Sequence, residues 1–100
     1  MSETQKQSDK DHRQQITVQQ VEEIFGSIRQ QLFHRFNEKG YGTWLSQHEI
    51  LGVITEEYHY LTKGIEPNLL GKMRMRSKLA DIAVGCIFGI ACIDAETLDW

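Results

Sequence analysis

The chain has 100 residues, 40% of them hydrophobic and 25% charged, with a formal net charge of −3. That length allows one domain, and that composition excludes collagen-like, coiled-coil and wholly disordered chains. The acidic balance argues against a protein that coats nucleic acid electrostatically. A chain this short buries only about 60 to 65% of its unfolded surface, so association between copies is one way to complete its core. Two cysteines, Cys86 and Cys92, both inside one apolar run, make no disulfide framework and point to a reducing, cytoplasmic compartment.

Residues 2–15 contain no apolar side chain and balance three acids against three bases. Such a segment cannot offset its ordering entropy by burial, so residues 1–15 read as a disordered polar tail with no signal-peptide pattern. A single all-α domain is expected over residues 16–100.

Thr17 followed by Gln20 is a capping-box pattern. From there Val21, Ile24, Phe25, Ile28, Leu32 and Phe36 recur on one face of a first helix, which Gly40 and Gly42 end. Ser46 with Glu49 repeats the capping-box pattern and opens a second helix, from about Gln47 to Lys63, with Ile50, Val53, Ile54, Tyr58 and Leu61 as its apolar stripe. Gly64 and Pro67 stop it. Asn68 caps a third helix reaching about Ile93. Over residues 72–78 bases alternate with Met73, Met75 and Ser77, a strand-like period with no partner strand, so this stretch reads as loop passing into helix. From Leu79 to Ile93 every residue is apolar or glycine except Asp81. The run is shorter than the roughly 20 residues that cross a membrane, and a helix apolar all round is a central core helix. Gly85 and Gly89 form a smooth strip where another helix can approach. Cys86 and Cys92 read as packing residues.

Asp81 is the most informative residue. An ionised carboxylate on a core helix is costly unless it is paired, hydrogen-bonded or bound to a cation. It is either a metal or catalytic carboxylate facing another acid, or a structural ion pair with Lys78. Glu49, Glu56 and Glu57 on the second helix are the acids that antiparallel packing would carry past it. Carboxylates on facing helices are how a bundle holds a hard divalent cation such as magnesium; the plainer reading is a solvated acidic face.

The segment HEILGVITEEYHYL, a basic linker, and then KLADIAVGCIFGIACI resemble the MazG-like branch of the all-α NTP pyrophosphatase superfamily, over about residues 17–95. The resemblance implies a helical bundle assembled as a homodimer or a dimer of dimers. It also implies magnesium, with manganese as an alternative, held by Glu-Glu-x-x-Glu and Glu-x-x-Asp motifs, and hydrolysis of a nucleoside triphosphate to the monophosphate and pyrophosphate. Carried over residue by residue, the metal ligands would be Glu56, Glu57 and Asp81. Two positions depart from the pattern: Tyr60 stands for the third glutamate of the first motif and Lys78 for the glutamate of the second. Counting Glu57, Tyr60, Lys78 and Asp81, the formal charge falls from −4 to −1. Four converging carboxylates require cations; here the Lys78 ammonium can fill the electrostatic role of a metal. No residue is singled out as catalytic.

Lys63, Lys72, Arg74, Arg76 and Lys78 place five of the eleven bases within sixteen residues. Lys72, Arg74, Arg76 and Lys78 are candidates for phosphate binding, against the plainer reading of a solvated basic loop. His34, His48 and His59 show no spacing that converges with cysteine, so zinc is not expected. The turn from Gly40 to Trp44 offers either an aromatic platform for a base or an anchor for the loop. Two functions follow from these features. One is a magnesium-dependent nucleotide pyrophosphohydrolase; the other is a non-catalytic dimeric helical protein that binds a nucleotide or a partner protein. Neither involves nucleic acid or a membrane. The Gly85/Gly89 strip and the face formed by Ile24, Phe25, Ile28 and Leu32 are the surfaces expected to meet a second copy.

Overall fold

The computed structural model describes residues 13–100, and most of the expected polar tail lies outside them. Among the described residues the fold is all-α, as the periodicities require, with α1 at Val18–Lys39, α2 at Gln47–Lys63, α3 at Leu69–Asp94 and no strand. No helix among them is long and apolar enough to cross a membrane.

Local chemistry sets each boundary. At the start of α1 the Thr17 hydroxyl accepts from the Gln20 N–H at 3.1 Å while the Thr17 N–H donates to the Gln20 amide oxygen at 2.8 Å, a complete capping box. Gly40 ends α1 at φ +81, a conformation that costs a residue without a Cβ little. At α2 the Ser46 hydroxyl accepts from the Glu49 N–H at 3.2 Å, but the Glu49 carboxylate accepts from the Leu45 N–H at 2.6 Å. The reciprocal arm expected at Ser46 is thus displaced by one residue. The C-terminal segment pins this entry, with Asp99 N–H donating to Leu45 O and Gln47 N–H to Trp100 O.

The third helix differs from expectation at its start. Asn68 caps it, accepting from the Gly71 N–H at 2.8 Å, and residues 72–78 are helical throughout rather than a loop. Lys, Arg and Met are good helix formers, and the two-residue alternation that looked strand-like simply distributes the bases around the helix. Gly71 is required there, because a Cβ would collide with the Glu66 carbonyl oxygen. At the far end Glu96 N–H donates to Ile93 O and Thr97 N–H to Cys92 O, both at 3.1 Å, with Glu96 at φ +57. This is a Schellman closure with glutamate in the place usually taken by glycine.

α2 packs antiparallel to α3, as the short connection demands. A Cβ on Gly89 would stand 3.2 Å from Ile50, and one on Gly85 would stand 3.1 Å from Ile54. The glycine strip therefore receives α2 of the same chain and is not a surface for a second copy. α1 runs parallel to α3: its Arg35 reaches Asp81, and further along Phe36 meets Phe88 with ring centroids 5.7 Å apart. α1 and α2 pack on α3 but not on each other.

Both neighbours lie on one side of α3, so that helix is not enclosed all round as its composition suggested. Val84 and Cys92 are buried at 3% and 2% exposure, whereas Leu79, Ile90 and Ile93 are 51%, 59% and 55% exposed. Helical spacing explains the split: Leu79, Cys86, Ile90 and Ile93 lie opposite the face formed by Val84, Phe88 and Cys92. Cys86 is accordingly exposed rather than a packing residue, and Cys92 alone fills that role.

Candidate functional site

Because α1 and α2 straddle α3 without touching, a groove of about 280 Å³ remains between them. Val84, Gly85 and Phe88 of α3 form its floor. Arg35, Phe36 and Lys39 line it from α1, Val53 and Glu57 from α2, and Trp44 from the loop at one rim.

Asp81 sits on α3 beside this groove, with its side chain 18% exposed. One carboxylate oxygen accepts from Gln31 Nε2 at 2.8 Å and from Arg35 Nη2 at 3.0 Å. The other lies 3.7 Å from Lys78 Nζ. Lys78 Nζ also donates to Glu57 Oε2 at 3.4 Å and stands 5.3 Å from the centroid of the Tyr60 ring. Residues 57, 60, 78 and 81 therefore surround a single ammonium. Arg35 and Lys78 balance Glu57 and Asp81, so the cluster is formally neutral and every charge in it has an opposite within 4 Å. A divalent cation entering here would have to displace the ammonium and face the Arg35 guanidinium.

The third proposed metal ligand stays away. Glu56 is exposed while Glu57 is half-buried against α3, since consecutive helix residues point about 100° apart. Glu49 is exposed and its carboxylate is occupied at the α2 cap. Among the described residues no three His, Cys, Asp or Glu side chains converge to hold a metal ion.

The four bases proposed for phosphate do not form one patch. Lys78 lies within the cluster and Arg74 pairs with Glu66 at 3.4 Å. Lys72 and Arg76, two residues out of phase on the helix, are exposed on another side.

Gln31 and Arg35 are site residues that the sequence did not reveal. They form a polar i, i+4 pair beside the stripe of Ile28 and Leu32, and that pairing is their only sequence signal. The aromatic turn anchors the loop between α1 and α2. Tyr41 stacks on Phe36 at 4.6 Å, and Trp44 meets Phe88 edge-on at 4.9 Å. The loop is held from behind, where Thr97 Oγ1 donates to Trp44 O at 3.1 Å and the Trp100 ring lies 4.5 Å from His48.

Comparison with family models, with curated proteins and with solved structures returned no match.

Proposed function

We propose that this chain is a non-catalytic, dimeric relative of the MazG-like all-α NTP pyrophosphatases, which keeps a ligand groove but does not hydrolyse a nucleoside triphosphate. The observation that supports this reading is the Lys78 ammonium, 3.4 Å from Glu57 and 3.7 Å from Asp81, at the point where the resemblance would put magnesium. A hydrolase of that type needs the cation to organise the polyphosphate and to make a nucleophile of water. Here the carboxylates are already neutralised.

Thermal unfolding with and without magnesium or manganese tests the proposal, on the wild type and on Tyr60→Glu/Lys78→Glu. A metal at about ten times its dissociation constant stabilises the native state by about 1.4 kcal/mol, or about 5 to 10 °C for a domain of this size. The double variant is expected to rise by that amount and the wild type not to move. A rise in the wild type with either metal overturns the reading and restores the hydrolase, with Glu57 and Asp81 as ligands; pyrophosphate release would then be measured.

The proposal includes a homodimer or a dimer of dimers. Its support is the side of α3 that no described helix covers, together with the N-terminal half of α1, where Ile24 and Phe25 are 49% and 59% exposed. Exposed apolar residues this numerous on one helix face mark an interface more often than a solvated face. Sedimentation equilibrium is expected to give twice or four times the 11.6 kDa chain mass. A monomer at all concentrations sinks this part of the proposal.

A further inference from the structure

We propose that the groove between α1 and α2 binds, without metal, a planar aromatic molecule carrying a single anionic group. The inference rests on the reading that Lys78 stands in for a cation, and it goes on to name the ligand class.

Three observations carry it. The first is the wall. Phe36, Trp44 and Phe88 meet around the groove, and Phe36 and Trp44 remain half-exposed, so a flat ring can lie against aromatic faces already held in place. The second is charge. Lys78, not itself a lining residue, pairs with both Glu57 and Asp81, so the net positive charge of these five groups resides on the lining bases Arg35 and Lys39, which suits one anionic group and does not neutralise a polyphosphate. The third is how that charge is presented. Arg35 and Lys39 both line the groove and are one helical turn apart, so a single anionic group can reach both. Arg35 spends Nη2 on Asp81, which fixes the guanidinium and leaves other N–H donors for a ligand. Lys39 is exposed and makes no ion pair among the described residues. At about 280 Å³ the groove lies at the lower end of ligand pockets, about 300 to 1,000 Å³, which favours a small ligand over an extended one.

The experiment is isothermal titration calorimetry on the full chain in EDTA with adenosine 5′-monophosphate, benzoate, adenosine and adenosine 5′-triphosphate. Saturable binding of the monophosphate, of benzoate or of both is expected, and whichever binds identifies the anion as phosphate or carboxylate. Removing the anionic group or extending it to the triphosphate should weaken binding by about tenfold or more, as should Lys39→Glu, since each alters a charge-assisted contact. Lys39 is exposed, so Lys39→Glu, which loses only a favourable charge at the end of α1, should still unfold cooperatively within several degrees of the wild type and so exclude misfolding. The proposal is overturned if neither adenosine 5′-monophosphate nor benzoate binds at millimolar concentration, if adenosine binds as well as its monophosphate, or if Lys39→Glu leaves binding unchanged. A parallel titration with magnesium in place of EDTA tests the reading beneath: triphosphate bound only there overturns both. A chain that binds none of these molecules, and whose melting temperature ignores magnesium, overturns the ligand alone.

Discussion

Gly89→Val is expected to separate α2 from α3 and to cost about 3 kcal/mol or more, a large part of the 5 to 15 kcal/mol that holds an ordinary domain together. The Cβ alone would stand 3.2 Å from Ile50 Cγ2, already tighter than ordinary packing, and 3.6 Å from the Trp44 ring. Two further methyl groups have no room unless the helices part. Separation would also move Trp44, so the groove should open as the helices loosen. Gly26→Ala is the control, because nothing lies within 4 Å of a Cβ built there. That change removes only the entropic cost of glycine in a helix and should gain about 0.5 to 1 kcal/mol. Urea unfolding followed by circular dichroism reads both. Equal effects of the two substitutions would mean that the close approach of α2 at Gly89 is not what holds the pair.

The second large effect is expected at Asp81. Gln31 and Arg35 both donate to it, and α1 has no buried residue of its own. Asp81→Ala removes the polar tie between α1 and α3 and leaves a half-buried guanidinium without its partner, at a cost of about 2 to 3 kcal/mol. Lys78→Met should cost less than about 1 kcal/mol, because Asp81 keeps Arg35 and Glu57 retains access to water. Denaturant unfolding of the two variants separates the roles of the two cations. If Lys78→Met proves as damaging as Asp81→Ala, the ammonium is the structural centre of the cluster and Arg35 is incidental to it.

The two predictions depend on different ranges of interaction, and so does what could be read from the sequence. The ends of the helices were legible because each is settled within about four residues. Thr17, Ser46 and Asn68 satisfy the first amides of their helices, and Gly40 supplies a positive φ. Where local signals conflicted, over residues 72–78, an alternation of a few residues was a poor guide, because long side chains suit a helix and no partner strand existed. The pairing of Lys78 with both Glu57 and Asp81 was also within reach, since a short connection forces α2 antiparallel to α3 and helical spacing does the rest.

The contacts that close and shape the site were not legible. Arg35 meets Asp81 across 46 residues of chain, through a parallel register of α1 on α3 that no local pattern encodes. The glycine strip announced a close helix approach but not its occupant. The intrachain neighbour takes it because a five-residue connection brings α2 there first. Composition made α3 look like a helix surrounded on every side, yet among the described residues only two helices pack on it. Neighbours along the chain suffice for the helices, their caps and the acid that needs a partner. Long-range packing settled that Arg35 of α1 joins Lys78 as that partner, and that no other described helix covers the far side of α3. Those outcomes depend on how many helices are available and how they register, and they involve residues far apart in the chain.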